Sequence, residues 1–379
     1  MKIGIITIHK SPNYGACLQS YALYAFLKGQ GFDCEIIDLL RPTHSGYIKS
    51  KVYLPYRGGK TGIIKKWKNI LKKIIKKKDS RKILTKEAKH KFDLFNNKIN
   101  YSQTYHGIDE LYRNPPFYDV YISGSDQLWN PTIGFCIEPY FLTFVKKGRK
   151  ISYATSIGVD NLLDNEKKDF SKWLSDYYSI SVREKSGCDL LSPLISQEVT
   201  QVCDPTFLLE PNQWASLMIE PSVKEPYILL FTLNYNKLLL DFCIRLSKES
   251  KKKLIYLCLF QSSKQPSPNY IAANSAGPNE FIGYIARAEM VVTDSFHGTA
   301  LSLLLEAGNF FVHIPSTQKR GKRITDMLDF YHLNNHVLNE DLNVSYQDLT
   351  LRSLDKNTIR DLIIKERKRS QEYLLRQLS

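Results

Sequence analysis

The densest chemistry in this 379-residue chain lies in one run, Val291-Val292-Thr293-Asp294-Ser295-Phe296-His297-Gly298-Thr299-Ala300. A strand ends at Thr293 and a helix starts near His297, which sets an imidazole and two hydroxyls over a helix N-terminus. The positive end of the helix dipole favours the neutral ring, placed to take a proton from a sugar hydroxyl. Asp294 either orients that ring or caps the helix. Six other histidines (His9, His44, His90, His106, His332 and His336) have no such setting, and His313 only ends a strand.

Further polar groups follow other strand-like runs. Ser123-Gly124-Ser125-Asp126-Gln127-x-Trp129-Asn130 gathers a carboxylate, amides, two hydroxyls and an indole, a set suited to carbohydrate, although Asp126 also reads as a plain N-cap. Arg183, in Val182-Arg183-Glu184, either reaches an anionic donor or pairs with Glu184 or Asp204. Asp204-Pro205 reads as a turn starter. Lys319-Arg320-x-Lys322-Arg323 offers Arg323 as a bidentate grip on phosphate or carboxylate. Asn13-Tyr14-Gly15 opens a helix whose backbone N–H groups suit an anion or a sugar hydroxyl, but its single glycine is no dinucleotide fingerprint. No G-x-x-x-x-G-K-[ST], H-E-x-x-H, G-x-S-x-G or D-x-D run occurs, which argues against P-loop, zincin, α/β-hydrolase and metal-dependent sugar-transfer chemistry.

These loops require a parallel sheet to hold them. Lys2 to Ile8 reads as a buried strand, Ala16 to Leu27 as a helix, and Cys34 to Leu39 as the next strand, a βαβ opening. Short β-rich runs follow at Asp119 to Ile122, Ile151 to Ala154, Ser179 to Val182 and Thr200 to Cys203. The prolines between Pro211 and Pro226 mark a linker, and a second βα series runs from Tyr227 to His313. A charged helix from Asp355 to Leu378 closes the chain and either caps the second domain or crosses back to the first. The expected fold is α/β, with two doubly wound Rossmann-like domains, 1–222 and 223–379, facing a cleft that holds the ligands at the strand ends.

The net charge of +15 has one address. Between Lys49 and Lys91 stand 17 Lys and Arg against two acids, while the rest of the chain is balanced at 36 of each. Within this insert, Trp67, Ile70 and Ile74 share an apolar stripe with Ile63, Ile64, Leu71 and Ile75. Lys72, Lys73, Lys76 and Lys77 lie on the other side. Such a helix either packs on the protein's own core or lies in an anionic membrane interface. Nucleic acid is not an expected partner, because no aromatics interleave with the cations. No apolar run reaches the ~18–20 residues of a spanning helix, and the N-terminal apolar stretch is too short for a signal peptide. Seven scattered cysteines without a C-x-x-C pair fit a reduced cytoplasm better than a disulfide framework.

Four blocks in order carry a resemblance. Asn13-Tyr14-Gly15-Ala16-x-Leu18-Gln19-x-Tyr21-Ala22-Leu23, Gly124-Ser125-Asp126-Gln127-x-Trp129-Asn130, Val182-Arg183-Glu184 and Thr293-Asp294-Ser295-Phe296-His297-Gly298-Thr299 resemble the polysaccharide pyruvyl transferase family. The likeness runs from near residue 3 to about residue 330, leaving out the lysine-rich insert and the last helix. It implies a GT-B-like fold, phosphoenolpyruvate as donor, a surface-glycan sugar as acceptor, a pyruvate ketal as product, and no metal or other cofactor. His297 falls on the family-motif histidine and Arg183 on a donor arginine. Several members have arginine where this chain has Ser295, so Arg323, Lys322 or Arg287 must supply that cation.

The implied site therefore has His297, Asp126 and Asp294 as catalytic groups. Arg183, Ser295, Lys322, Arg323 and Arg287 stand toward the donor, and Asn13, Tyr14, Gly15, Ser125, Gln127 and Trp129 toward the acceptor. The basic insert suggests a polyprenyl-linked acceptor at the inner leaflet. Rival readings are a glycosyltransferase that uses a nucleotide sugar and a non-catalytic glycan-binding relative.

Overall fold

The computed structural model describes residues 1–42, 44–49, 81–82, 85–133, 136–262, 267–315 and 321–379. The membrane-docking candidates Trp67, Ile70, Lys72, Lys73, Ile74, Lys76 and Lys77 lie outside these residues, as do Lys319 and Arg320.

Fourteen strands are described: β1 (Lys2–Ile6), β2 (Asp33–Leu39), β3 (Arg81–Lys82), β4 (Tyr101–Tyr105), β5 (Val120–Ser123), β6 (Arg149–Ser152), β7 (Ile180–Val182), β8 (Val199–Gln201), β9 (Tyr227–Asn234), β10 (Lys253–Ser262), β11 (Ile271–Ala272), β12 (Met290–Thr293), β13 (Phe310–His313) and β14 (Val337–Leu338). The first sheet has the order β4-β2-β1-β5-β6, all parallel. Isolated parallel bridges, Ile151 to Ser179 and Thr155 to Val182, carry it on to the β7–β8 pair. The second sheet runs β11-β10-β9-β12-β13-β14, again parallel.

Apolar runs explain both sheets. Ile3, Ile5 and Ile6 of β1, and Ile228, Leu229 and Leu230 of β9, are wholly buried, as central strands covered on both faces by helices must be. In each sheet the chain turns opposite ways from its first strand, β1 in one and β9 in the other, so a crevice opens between β1 and β5 and another between β9 and β12. Ligand loops belong at such switch points, and the Asn13, Ser125 and Asp294 loops all lie there.

The basic insert re-enters the fold in the other domain. β3 pairs antiparallel with β10, and the helix Lys86–Asn96 is capped by Thr85 Oγ1 on Ala88 N at 3.1 Å. That helix docks beside Pro278–Arg287, with Lys91 Nζ 2.7 Å from Glu280 Oε1. Tyr14 seals the same interface. Its hydroxyl donates to Ala276 O at 2.7 Å, and its ring stacks on Phe281 with centroids 4.3 Å apart.

The terminal helix, Lys356–Leu378, does not belong to the second domain alone. Its first turns hold Glu306 through Arg360 and bury Ile359 and Ile363. Farther on, Arg367 Nε donates to Phe207 O, Ser370 Oγ accepts from Cys203 N, and Arg149 reaches Gln377 O. Twenty-three residues rising 1.5 Å each span ~34 Å, enough to bridge two domains. Its buried residues (Ile359, Ile363, Glu366, Arg367, Ser370, Tyr373, Leu374 and Leu378) recur at helical spacing, so one stripe serves both.

Candidate active site

The strand-end loops of the two domains meet around His297. The helix Phe296–Leu304 begins with Ser295 as N-cap, its Oγ accepting from Gly298 N at 3.3 Å, so the residue expected at the donor instead closes a helix end. His297 lies in the first turn against the first turn of the other domain's helix, Tyr14–Gly29. A side chain on Gly15 would put its Cβ 2.1 Å from His297 Nδ1. Only glycine allows this contact, and the requirement links two sequence blocks 282 positions apart.

The opposite edge of the ring faces Asp204, whose Oδ2 lies 3.6 Å from His297 Nε2 and accepts from Arg183 Nη1 at 2.7 Å. Arg183 Nη2 donates to Asp126 Oδ1 at 3.0 Å. The guanidinium of Arg183 lies over the Phe296 ring at 4.2 Å, and that of Arg323 over the same ring at 5.7 Å. Two carboxylates, two arginines and an imidazole are thus gathered on one aromatic platform.

Charge is distributed tightly here. Burial pushes the Asp204 carboxyl up, but His297, Arg183 and the Thr206 N–H outweigh it and hold the group well below the usual carboxylate range. Burial likewise opposes ionisation of Asp126, yet Arg183, His297 and Arg323 together hold it below its ordinary value. Asp126 is therefore a carboxylate and cannot serve as an acid near neutrality. Asp294 behaves in the opposite way. Burial pushes its carboxyl up to about 6, and the N–H of Leu233, at 3.3 Å, offsets only part of that. A carboxyl raised to about 6 is protonated in roughly a tenth of molecules at pH 7, far more often than an ordinary aspartate, and can serve as a general acid. Asp294 neither caps the helix nor bonds His297, contrary to both roles expected from sequence.

Several expected ligand contacts take structural duties instead. The Arg183 side chain is 0% exposed and held between Asp126 and Asp204, so it organises carboxylates rather than presenting a cation to a donor. Trp129 is wholly buried, stacked on Phe141, with Nε1 donating to Tyr140 O at 3.0 Å. Ser125 Oγ donates to Ala154 O, and Gln127 Oε1 accepts from Asn130 Nδ2. Tyr14 is the interdomain contact already described, and Asn13 caps its helix on Ala16 N at 3.4 Å. Arg287 grips Glu220 at the far end of its helix, beside the linker, and Lys322 lies 3.5 Å from Asp326. Of the three cations offered in place of an arginine at 295, Arg323 alone is in the cluster.

The sequence offers Asp204 only as a turn starter or a partner for Arg183, a pairing that forms, and gives Phe296 and Gln19 no separate role. Asp204 does start a turn, with Oδ1 accepting from Thr206 N and Oγ1, but its second oxygen is in the cluster. Its signal in the sequence is the same as that of Asp126 and Asp294, a carboxylate just past a strand. Gln19 fastens the two loops of the first crevice. Its Nε2 donates to Thr7 Oγ1 and Ile8 O, and its Oε1 accepts from Ser125 N.

Among the described residues no His, Cys, Asp and Glu group has the arrangement of a metal site, and no helix is long and apolar enough to cross a membrane. A cavity of about 340 Å³ between the terminal helix and Ser302–Ala307 contains none of the cluster residues.

A solved structure described as trehalose-6-phosphate from E. coli bound with UDP-2-fluoro glucose superposes with a TM-score of 0.52 at 10% identity, covering 100% of this chain and 99% of that one. The UDP-GlcNAc 2-epimerase of Methanocaldococcus jannaschii gives 0.49 at 14% identity, covering 100% and 99%. The first likeness agrees with two Rossmann-like domains facing a cleft. No curated protein matches the sequence. The model of the polysaccharide pyruvyl transferase family matches residues 13–310, a span that contains Gly15, Asp126, Arg183, Asp204 and His297. The chain belongs to the polysaccharide pyruvyl transferase family.

Proposed function

We propose that this enzyme transfers the pyruvyl group of phosphoenolpyruvate to two hydroxyls of one sugar in a surface polysaccharide repeat, forming a cyclic ketal and releasing phosphate. The observation that carries this reading is the convergence of four separated sequence blocks on one histidine. Gly15, Asp126, Arg183 and His297 meet within a single interdomain cluster.

The chemistry needs an acid for carbon, a base for oxygen and a cation for the donor. In the proposed sequence Asp294 gives its proton to the donor methylene, and C2 gains oxocarbenium character. A sugar hydroxyl adds to C2 as His297 takes its proton. The C2–O bond to phosphate then breaks, and the phosphate leaves with its electron pair. The neighbouring hydroxyl adds to C2, and loss of its proton closes the ketal. Arg323 meets the donor anion beside Phe296, taking the part that an arginine at 295 plays in relatives. No metal or redox group enters the scheme.

The acceptor in this proposal is carried on a polyprenyl lipid, and the apolar stripe of Trp67 and Ile70, with the lysines opposite it, seats the enzyme on the anionic cytoplasmic leaflet. That part rests on the sequence pattern alone. Flotation with anionic and neutral vesicles tests it, and equal recovery with both would end it.

Donor binding tests the central reading. Phosphoenolpyruvate and a panel of nucleotide sugars are titrated into wild type and Arg323→Ala by calorimetry. Saturable phosphoenolpyruvate binding is expected, weakened about tenfold or more in Arg323→Ala, as loss of a charge-assisted contact of ~1.5–3 kcal/mol requires. Binding of a nucleotide sugar in its place overturns the reading.

A further inference from the structure

We propose that Asp204 is a positioning residue that keeps the proton of neutral His297 on Nε2, so that Nδ1, beside Gly15, is the nitrogen that exchanges a proton with substrate. The base role of His297 rests on the pyruvyl-transfer reading, whereas the assignment of its tautomer does not.

Three observations carry it. First, His297 Nε2 is buried and makes no hydrogen bond among the described residues, and it lies 3.6 Å from Asp204 Oδ2. A ring nitrogen facing a carboxylate is stabilised when it bears hydrogen and repelled when it offers a lone pair. Second, the carboxylate cannot turn away. Arg183 Nη1 holds Oδ2 at 2.7 Å, while Thr206 N and Oγ1 hold Oδ1 at 3.0 and 2.8 Å. Third, the ring keeps 9% of its side-chain surface exposed although Nε2 is sealed, so its accessible part lies elsewhere on the ring. Nδ1 adjoins the N-terminal turn of the helix Tyr14–Gly29, where a Cβ on Gly15 would stand 2.1 Å from Nδ1 and 2.5 Å from Cγ. Gly15 therefore clears the space that the working nitrogen occupies. A catalytic hydrogen bond that is long in the resting enzyme commonly tightens with substrate bound, so 3.6 Å suits a partner that closes on the ring during turnover.

The test reads the tautomer directly. The full chain is labelled with ¹⁵N-histidine, and the His297 ring is assigned as the signal lost in His297→Gln. Long-range proton–nitrogen correlation then identifies the protonated nitrogen at a pH where the ring is neutral. The expected wild-type pattern is N–H at ε2 and a bare nitrogen at δ1. In Asp204→Asn the amide can turn its NH₂ toward Nε2 and move the proton to Nδ1. Turnover should then fall on the order of 10⁴-fold, as when the carboxylate behind a catalytic histidine is amidated, with KM little changed. N–H at δ1 in the wild type overturns the proposal, as does an unchanged ε2 pattern in a folded Asp204→Asn. Should that variant not fold, the wild-type spectrum decides alone. An ε2 pattern that shifts as expected in an enzyme inert toward phosphoenolpyruvate upholds this inference and sinks the pyruvyl-transfer reading.

Discussion

Replacing Asp294 by asparagine should make the protein more stable at neutral pH while removing its activity. The carboxyl is half-buried beside β9 and pushed from 3.8 up to about 6, with the backbone N–H groups of Leu233 and of Asp294 itself offsetting only part of the shift. A shift of about two units, at 1.36 kcal/mol each, means that keeping this group ionised in the fold costs about 3 kcal/mol above pH 6. The sign follows from proton counting. Between pH 4 and 6 the folded state holds more protons than the unfolded state, so stability falls as pH rises through that window and the cost is complete above it. Asparagine keeps the oxygen that accepts from Leu233 and never ionises. Urea unfolding from pH 4 to 8 should show Asp294→Asn gaining up to about 3 kcal/mol over wild type at pH 8, with the advantage fading toward pH 4. Turnover with phosphoenolpyruvate should meanwhile fall by ~10²–10⁴-fold, the usual loss of a general acid. A variant that is less stable than wild type, or whose advantage does not vary with pH, would refute the reasoning.

Two further substitutions separate structural duties from ligand contacts. Trp129→Phe keeps the stack on Phe141 and removes the Nε1 bond to Tyr140 O, which Ser123 Oγ still satisfies, so a stability loss of about 0.5–1.5 kcal/mol is expected, with acceptor KM unchanged in a saturation assay. Tyr14→Phe removes the bond to Ala276 O across the domain interface. Denaturant titration should show a cost of about 1 kcal/mol, with donor affinity retained in calorimetry.

The sequence by itself determined the layers and the loops. Met290 to Thr293 and Phe310 to His313 read as buried parallel strands, because each is a short apolar run between helical patterns, and both strands stand where that pattern puts them. His297 was legible for a related reason: its place at a strand-to-helix turn is a local property of neighbouring residues. The choice between a ligand contact and a structural duty was not local. Trp129 and Arg183 follow strands just as Asp126 does, yet the indole is packed away on Phe141 and the guanidinium is spent on two carboxylates. Asp204 reads as a turn starter because its second oxygen finds partners only after residues 183 and 297 are brought to it from two domains. The terminal helix was equally undecided, since an amphipathic stripe specifies that a face is covered but not by which domain. Side-chain roles at this site are set by contacts across 11 to 282 positions, and only the packed fold makes those contacts.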